Sequence, residues 1–463
     1  MKKIKRIVCL FLTGVLCMGM GVMAVQAEEA WPSGISVASQ CAIVMDADTG
    51  TILYQKNAKD TCYPASITKI MTTMLALDHS KPDEVVTMSE DSIYKTEGSG
   101  VARDIGEQLS MKDCLYAVML ESANECAYAV AEHVGGGDYS KFIAMMNEKA
   151  KELGCENTHF NNCNGLPDEE HYTTCYDMAL IAKEAIKNND FRTLINTKNY
   201  ILPKTNKKDQ ELPMYNHHAM ICSNRTSRHL YEYAIGGKTG YTRAAGNTLV
   251  TYAEKDGMTL ICVVMKSNSI AQYQDTRNLF DYCFENFKVY NVAQNETRYQ
   301  NSTAEGGMML TEVEPFACID KTAQIILPKT AAFEDTKVEV SYDQAKGEVL
   351  GTLNYKYGDR TIGSANVVAT KAEVKPYAFA QGGEKSDASS SPDASEKEKS
   401  WGKISRTMIR NIVIIVVIAA AAALVGIWLF VNRHYLMRKR KRRHNRDPRY
   451  KTIKNNRRWH SKK

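Results

Sequence analysis

A serine and a lysine stand three residues apart in the segment Pro64-Ala65-Ser66-Ile67-Thr68-Lys69. On a helix, residues at this spacing project from the same face, so a hydroxyl and an amine would lie side by side. A serine hydroxyl becomes a nucleophile when a base takes its proton, and a neutral lysine can be that base. The spacing alone is weak, because Ser92/Lys95 and Ser400/Lys403 repeat it. The pair therefore needs support from other parts of the sequence.

Two further polar motifs follow this pair along the chain. Ser122-Ala123-Asn124 lies between two segments with helical spacing, and Lys238-Thr239-Gly240 follows a Gly-Gly pair at a predicted strand. Each has a simpler interpretation as a helix cap or a surface turn, and Ser364-Ala365-Asn366 repeats the first. However, a helix start, an interhelical loop and a strand are each suitable places for a reacting group. In this order, the three motifs predict one site.

Strands at both ends with helices between them are predicted for residues 31–290. Alternating apolar residues predict strands at 40–45, 51–54, 248–253 and 258–265. Helical spacing continues from Ser66 and recurs at 111–120, 125–133, 142–153, 175–186 and 273–287. From 291 to 378, short alternating segments predict a small β-rich domain. The fold class is therefore α/β (α+β), in which a helical cluster packs on one sheet.

The two ends of the chain have the composition of targeting and membrane segments. Residues 1–27 join a basic start to an apolar stretch and a small-residue ending, which predicts a cleaved signal peptide, with an uncleaved anchor as the alternative. Residues 410–432 contain twenty uncharged residues in a row, enough for a transmembrane helix. The tail, 433–463, carries fifteen Lys and Arg against one acid, which is typical of a cytoplasmic end. The polar residues 379–409 predict a disordered stalk. We expect a single-pass membrane protein with its catalytic domain outside the cytoplasm.

Charge and cysteine content exclude some function classes. The net charge of +6 comes from the basic ends, so the outer part is acidic and nucleic acid is not an expected partner. The basic tail instead suits anionic lipid at the cell membrane. Eleven cysteines follow the signal peptide, but none forms a Cys-x-x-Cys pair or stands at zinc spacing from histidine. We expect buried free thiols, with no metal and no cofactor.

The order Ser-x-x-Lys, Ser-x-Asn, Lys-Thr-Gly resembles that of the penicillin-recognising serine acyltransferases. More narrowly, the chain is similar to the low-molecular-mass penicillin-binding proteins that are serine-type D-alanyl-D-alanine carboxypeptidases. The resemblance covers about residues 37–290 and includes the segments 46–50, 161–167, 171–174 and 238–246. It implies a sheet of the β-lactamase/transpeptidase type, peptidoglycan stem peptides as substrates and β-lactams as inhibitors.

The resemblance also implies roles for individual residues. Ser66 would attack the carbonyl of the penultimate D-alanine, Lys69 would take its proton, and Ser122 would pass a proton to the leaving nitrogen. Burial and the charge of Lys238 would lower the pKa of Lys69. The backbone N–H groups of Ser66 and Tyr241 would form the oxyanion hole. The implied substrate-binding residues are Asn124, Lys238, Thr239, Gly240, Tyr241 and Arg225.

Two groups of residues leave their roles open at this point. Arg225 is similar to an arginine that binds the substrate carboxylate in this family, but its spacing to the Lys-Thr-Gly motif is short and Arg228 competes with it. His171, His217 and His218 belong to none of the three motifs. We therefore expect loop or surface positions for these histidines instead of a catalytic role.

Two other classes of protein fit parts of the pattern. A class A-like β-lactamase needs a carboxylate base for deacylation, for which Glu169 and Glu170 are candidates, but this class usually has aspartate where Ala123 stands. A non-catalytic penicillin-binding sensor or wall-binding protein would share the binding residues, yet the short basic tail does not resemble a signalling domain. We predict an enzyme, a serine carboxypeptidase that removes the terminal D-alanine through an acyl-enzyme.

Overall fold

The computed structural model describes residues 31–298, 317–343 and 347–369. The strands of this part are β1 (Cys41–Asp46), β2 (Ile52–Lys56), β3 (Val85–Thr87), β4 (Gln108–Ser110), β5 (Asn199–Leu202), β6 (Leu212–Tyr215), β7 (Ala234–Thr242), β8 (Gly246–Lys255), β9 (Met258–Ser267), β10 (Phe287–Asn291), β11 (Ala317–Ile319), β12 (Gln324–Pro328), β13 (Lys337–Ser341), β14 (Val349–Tyr357) and β15 (Arg360–Ala369). The α-helices are α1 (Lys69–His79), α2 (Glu90–Tyr94), α3 (Met111–Tyr116), α4 (Asn124–Val134), α5 (Tyr139–Glu152), α6 (Cys175–Ala185), α7 (Asn189–Asn196), α8 (Ala271–Asn286) and α9 (Val292–Asn295).

An antiparallel sheet with the strand order β2-β1-β9-β8-β7 forms the centre of the fold. The predicted hairpin between β8 and β9 is present, and its turn residues Asp256 and Gly257 both have positive φ, which aspartate and glycine tolerate. Strand β7, which contains Lys238, lies at one edge of the sheet. An edge strand offers backbone groups for pairing with an extended peptide.

Both faces of this sheet are buried, and the side chains of β1 show why. Ile43 and Met45 point into a core shared with helices α1 and α4 to α6, whereas Ala42 and Val44 point into a second core shared with α8. Successive residues of a strand face opposite sides, so a strand between two helical layers reads as continuously apolar. Helix α1 packs against α4 and α6 and is buried from Lys69 to Ala76. Lys69, the residue that follows the Ser66 turn, is therefore held in the first core.

A second antiparallel sheet, in the order β10-β12-β15-β14-β13 with β11 paired to β15, begins at Phe287. It starts a few residues before 291, where the sequence pattern changes, because helix α8 leads directly into β10. A separate core cluster fills it, and the ring of Trp31 packs on Phe287 with centroids 5.0 Å apart. The repeated motif Ser364-Ala365-Asn366 lies within β15, so it does not begin a helix.

The predicted segments 1–27, 379–409, 410–432 and 433–463 lie outside the described residues. Within the described ranges, no helix combines the length and the apolar character that a membrane crossing requires.

Candidate active site

Ser66 lies in a 3-10 turn, Ala65–Thr68, and α1 begins only at Lys69. The prediction that a regular α-helix carries both residues is therefore wrong in this detail. Ala65 has a φ of 51°, and a Cβ on Gly165 would lie 1.9 Å from the carbonyl oxygen of Ala65. Only glycine lets the 161–167 segment pack this closely against the turn. The tight turn still brings Ser66 Oγ to 3.1 Å from Lys69 Nζ.

The amine of Lys69 is fully buried and makes three hydrogen bonds. Its Nζ lies 3.1 Å from Ser66 Oγ, 2.7 Å from Asn124 Oδ1 and 2.6 Å from the backbone oxygen of Asn164. The amide and backbone oxygens can only accept, so they take two N–H donors of the amine. A neutral amine then has its lone pair left for the hydroxyl proton of Ser66.

The pKa of Lys69 is held well below its ordinary value of 10.5, first by burial and then by the charge of Lys238. Burial likewise lowers the pKa of Lys238 to about 7, although the negative charge of Glu121 opposes this. Burial costs the charged form its hydration, and a second cation repels it. The electrostatics therefore favour the neutral Lys69 that the hydrogen bonds accommodate.

Ser122 adopts a left-handed backbone conformation, with φ 62° and ψ 31°, directly after a π-helical turn, Ala117–Glu121. Its Oγ is buried and has no hydrogen-bond partner among the residues that the structure describes. The alternative of a helix cap does not hold, because α4 begins at Asn124 without a side-chain cap. Strained residues with unsatisfied polar atoms are concentrated at functional sites. The hydroxyl is thus available to an incoming group.

Asn124 links Lys69 to the segment 97–99. Its Oδ1 accepts from Lys69, its Nδ2 donates to the backbone oxygen of Glu97, and its backbone N–H donates to Ser99 at 2.8 Å. The neighbouring Glu125 accepts from the backbone N–H of Val101 at 2.6 Å. The side-chain amide of Asn124 therefore holds Lys69 on one side and the segment 97–99 on the other, and it fixes this wall of the site.

Strand β7 lies beside the Ser66 turn and forms the opposite wall. A Cβ on Gly240 would lie 2.4 Å from Thr248 Oγ1 and 2.9 Å from the backbone nitrogen of Ser66. Gly240 is therefore required because β7 approaches the Ser66 turn and β8 closely, in addition to any approach of a substrate. Thr248 Oγ1 in turn donates to the backbone oxygen of Pro64 at 2.8 Å.

The other residues of the motif on β7 differ in exposure. Lys238 is buried and donates to the backbone oxygen of Thr239 at 3.0 Å, whereas Tyr241 is 66% exposed. Thr239 is half-buried. The motif on β7 therefore runs from the buried Lys238 to the exposed ring of Tyr241, so this edge of the strand extends from the protein interior to the surface.

Known proteins with similar sequences identify the family to which the chain belongs. A family model described as D-alanyl-D-alanine carboxypeptidase matches residues 24–269, more than half of the chain. The D-alanyl-D-alanine carboxypeptidase DacF of Bacillus subtilis is 30% identical over 390 residues, which cover 81% of this chain and 96% of that protein.

The chain belongs to the D-alanyl-D-alanine carboxypeptidase family. This confirms the resemblance inferred from the three motifs. The crystal structure of a Streptomyces DD-transpeptidase, 31% identical with a TM-score of 0.51, covers 55% of this chain and 100% of its own. The carboxypeptidase DacD of Francisella tularensis, 24% identical with a TM-score of 0.56, covers 76% and 97% and has the same fold. The mixed α/β fold of the family is thus confirmed.

The structure distinguishes the two candidate arginines in this member of the carboxypeptidase family. Arg225 Nη2 lies 2.6 Å from His217 Nε2, and the same ring nitrogen lies 2.7 Å from the carboxylate of Glu121, the residue before Ser122. Within the described part of the chain, Arg228 makes one hydrogen bond, a local one from its backbone nitrogen to Thr226 Oγ1. Arg225 is therefore the arginine that reaches the residues around the site.

All three histidines lie in loops, one of the two positions expected for them, and His171 and His218 are buried there. His171 Nδ1 accepts from the backbone N–H of Asn161 at 3.0 Å, so its Nε2 carries the proton and donates to Thr68 Oγ1 at 2.9 Å. Thr68 Oγ1 then donates to the oxygen of Ala65 at 2.9 Å. His171 thus supports the turn of Ser66 from below.

His171 and Asn164 are the residues near the site that motif reasoning missed. Both fall in segments of the family resemblance, 161–167 and 171–174, but Asn164 acts through its backbone oxygen, which side-chain patterns do not reveal. His171 acts through Thr68, a residue of the Ser66 turn that lies 103 positions earlier in the chain.

The repeated Ser-x-x-Lys pair at Ser92 and Lys95 makes no catalytic contact. Ser92 Oγ donates to the backbone oxygen of Ser89, and the exposed Lys95 pairs with Asp91 at 2.6 Å. Ser400 and Lys403 lie outside the described residues. Among the Ser-x-x-Lys pairs that the structure describes, Ser66/Lys69 alone joins serine to amine.

Proposed function

We propose that this protein is a D-alanyl-D-alanine carboxypeptidase that removes the terminal D-alanine from peptidoglycan stem peptides through an acyl-enzyme on Ser66. The observation that carries this proposal is the bonding of Lys69, whose amine is held by Asn124 and Asn164 and aimed at Ser66 Oγ. Membership of the carboxypeptidase family supports the same reaction.

In the acylation step, neutral Lys69 takes the proton of Ser66 as its Oγ attacks the carbonyl of the penultimate D-alanine. An ester bond forms to Ser66, and the C–N bond to the last D-alanine breaks. Ser122, whose buried hydroxyl has no partner in the described part of the chain, passes a proton to the leaving nitrogen. Water then hydrolyses the ester and restores Ser66.

The backbone N–H groups of Ser66 and Tyr241 stabilise the oxyanion in this proposal. The support is geometric, because the backbone of Gly240 approaches the nitrogen of Ser66 so closely that a Cβ would lie 2.9 Å from it. Preorganised donors of this kind contribute about 3 kcal/mol each to the transition state.

The terminal carboxylate of the peptide binds Lys238, Thr239 and Arg225. Lys238 is buried with a pKa of about 7, so a carboxylate beside it favours its charged form. Arg225 is exposed and supplies a second cation at the open end of the site. The peptide backbone pairs with the edge of β7, and β-lactams occupy the same place as inhibitors.

A β-lactamase function is less well supported. Glu169 and Glu170 are both exposed, and the atom of the 161–170 segment that contacts Lys69 is a backbone oxygen instead of a carboxylate. Rapid deacylation needs a base near the ester, so a long-lived penicillin adduct is expected.

The proposed location rests on the ends of the sequence. A signal peptide at 1–27, a transmembrane helix at 410–432 and a basic tail at 433–463 would hold the catalytic domain outside the cell membrane. Stem peptides of the cell wall are found in that compartment.

The test uses the purified full chain with a pentapeptide ending in D-Ala-D-Ala and with a labelled penicillin. We expect release of free D-alanine and covalent labelling, both abolished in Ser66→Ala and retained in the matched variant Ser92→Ala. Label on Ser66→Ala would overturn the assignment of the nucleophile. Labelling without D-alanine release would indicate a sensor, and fast penicillin turnover would indicate a β-lactamase.

A further inference from the structure

Two cysteines lie in contact beneath the segment that leads to Ser66. Cys62 Sγ donates to Cys41 Sγ at 3.6 Å, and both residues are free thiols. Cys41 begins β1, whereas Cys62 belongs to the segment 57–64 between β2 and the Ser66 turn. The two sulfurs thus join the central sheet to the approach to the nucleophile.

The backbones on both sides of this contact are fixed. Cys62 pairs with Thr173 through two backbone hydrogen bonds of 2.8 and 2.9 Å, and Cys41 pairs with Met265 of β9. A disulfide has an S–S distance of about 2.05 Å, so the two sulfurs have to close by about 1.5 Å. Because both backbones are held by hydrogen bonds, we expect rotation of the two side chains to supply this movement.

The charges around the pair activate one of the two sulfurs. The hydrogen bond from Cys62, opposed by burial and assisted by Lys266, lowers the pKa of Cys41 to about 7. Lys56 adds a smaller effect of the same sign, and Asp60 acts against it. The pKa of Cys62 is raised, first because its proton is held by Cys41. Of the two sulfurs, Cys41 is therefore the one that ionises more readily, and the thiolate is the form that reacts with oxidants.

Access to the pair requires only a small reagent. Cys41 is 2% exposed and Cys62 is 4% exposed, but the three residues before Cys62, namely Lys59, Asp60 and Thr61, are exposed. Cys62 Sγ lies 3.5 Å from the backbone oxygen of Asp60, and the ammonium of Lys266 donates to the backbone oxygen of Thr61 at 3.2 Å. Hydrogen peroxide is comparable in size to two water molecules and can reach a sulfur one residue below the surface.

We propose that Cys41 and Cys62 form a peroxide-sensitive site that closes into a disulfide and ties the 57–64 segment to β1. The Cys41 thiolate attacks one oxygen of hydrogen peroxide, the O–O bond breaks, and a sulfenic acid and one hydroxide result. Cys62 then attacks the sulfenic sulfur, and a second water leaves after proton transfer. In total, two thiols lose two protons and two electrons, and one peroxide becomes two waters.

A second thiol pair in the same protein provides a matched comparison. Cys126 and Cys114 are hydrogen-bonded to each other and fully buried between helices. The pKa of Cys126 is raised well above its ordinary value by that bond and by burial. Both thiols of this pair are 0% exposed, and the raised pKa of Cys126 keeps its proton in place, so the pair should remain reduced under the same treatment.

The first experiment treats the full chain with hydrogen peroxide, blocks the remaining thiols and maps peptides after non-reducing digestion. We expect a Cys41–Cys62 cross-linked peptide, lighter by two hydrogens and lost on reduction, with Cys114 and Cys126 still reduced. A link from Cys41 to the nearby Cys175, or faster oxidation of the Cys114 pair, would overturn the proposal.

The second experiment assigns the order of events with a sulfenic-acid trap, dimedone. Cys62→Ser keeps a hydroxyl donor for Cys41 and should carry the adduct on Cys41, whereas Cys41→Ser should carry none on Cys62. The control Cys126→Ala should form the Cys41–Cys62 link as the unaltered chain does, and penicillin labelling verifies that each variant is folded. Equal trapping at either cysteine would contradict a single activated thiol.

The third measurement concerns the cross-link itself. Closing a loop of about 20 residues restricts the unfolded chain, so the midpoint of thermal unfolding should rise by about 5 °C in the oxidised protein. An unchanged midpoint in fully cross-linked protein would show that the disulfide does not tie the segment in its native position.

Discussion

The side-chain nitrogen of Lys69 lies 2.6 Å from the backbone oxygen of Asn164, a residue 95 positions further along the chain. This bond takes one proton of the amine, and Asn124 takes another at 2.7 Å. The third position faces Ser66. Because one of the two restraining acceptors belongs to the backbone, no side-chain substitution at 164 removes it directly.

The coupling between the two buried lysines gives a prediction for pH. Lys238→Gln removes the charge that helps to lower the pKa of Lys69. The pKa of Lys69 should then rise, so the pH at which acylation reaches half its maximum should move upward. We also expect about tenfold slower acylation at neutral pH, because a buried partner of the substrate carboxylate is lost.

The measurement is the rate constant for penicillin labelling as a function of pH in both proteins. A profile that stays in place in Lys238→Gln, with only a lower plateau, would show that Lys238 binds substrate without tuning Lys69.

Ser122 can be tested with two substitutions that separate its hydroxyl from its backbone. Ser122→Ala and Ser122→Gly both remove the proposed proton donor, so D-alanine release should fall by a factor of about 100 or more in each. Glycine adopts the φ of 62° without strain, whereas alanine adopts it at an energetic cost, so the glycine variant should be more stable by about 1 kcal/mol.

Peptidase assays and denaturant unfolding of the two variants provide the comparison. Normal D-alanine release in either variant would exclude a role for the hydroxyl.

Gly240→Ala tests the close packing of β7 on the catalytic turn. The new Cβ would lie 2.4 Å from Thr248 Oγ1 and 2.9 Å from Ser66 N, so we expect a loss of about 1–3 kcal/mol in stability and a large loss of acylation. Adding Thr248→Ala relieves only the first contact, and stability should recover more than acylation does.

Thermal unfolding and penicillin labelling of the single and double variants measure the two effects. Full recovery of acylation in the double variant would mean that the contact with Ser66 N is unimportant.

The two arginines form a matched pair for the substrate carboxylate. Arg225→Gln should lower kcat/KM for the pentapeptide by a factor of about 10, the effect expected for one charge-assisted hydrogen bond, whereas Arg228→Gln should change it less than twofold. Steady-state kinetics at low and moderate ionic strength provide the test. An equal loss in both variants would indicate a general charge effect.

His171 predicts how stability responds to acid. Burial lowers its pKa from 6.5 to about 4, so below pH 6.5 the unfolded chain binds a proton that the folded chain does not. Stability should therefore fall as pH decreases from 6.5 to 4, by about 1.4 kcal/mol per pH unit from this residue. His171→Gln lacks this contribution.

Denaturant unfolding of both proteins between pH 7.5 and 4 measures the difference. At pH 7.5 the variant should be less stable by about 1–3 kcal/mol, since Thr68 loses its donor. The gap should narrow in acid, and a constant gap would refute the assignment of a neutral buried His171.

Periodicity predicted most of the long helices and strands, and the spacing of Ser66 and Lys69 predicted that these two side chains meet. The hairpin around Asp256 and Gly257, the helix at Cys175 and the pairing of Ser66 with Lys69 are all present. Local patterns succeed here because burial of apolar faces and glycine conformations act over a few residues.

The contacts that the sequence did not reveal act over long distances or through the backbone. The bond from Thr248 to Pro64 spans 184 residues, and the 3-10 turn at Ser66 depends on Gly165 and His171 packing beneath it. The reason for Gly240 also became visible only with β8 in place. None of these leaves a periodic signal in the chain.

The strand order of the first sheet has a consequence for the timing of activity. β1 pairs with β9, and the wall beside Ser66 is β7, so these contacts join residues about 200 positions apart. During synthesis, the segment with Ser66 and Lys69 emerges long before Lys238 and Thr248. Ser66 therefore stays unreactive until most strands of the first sheet have been synthesised. A nascent or truncated protein that ends before β7 should not react with penicillin.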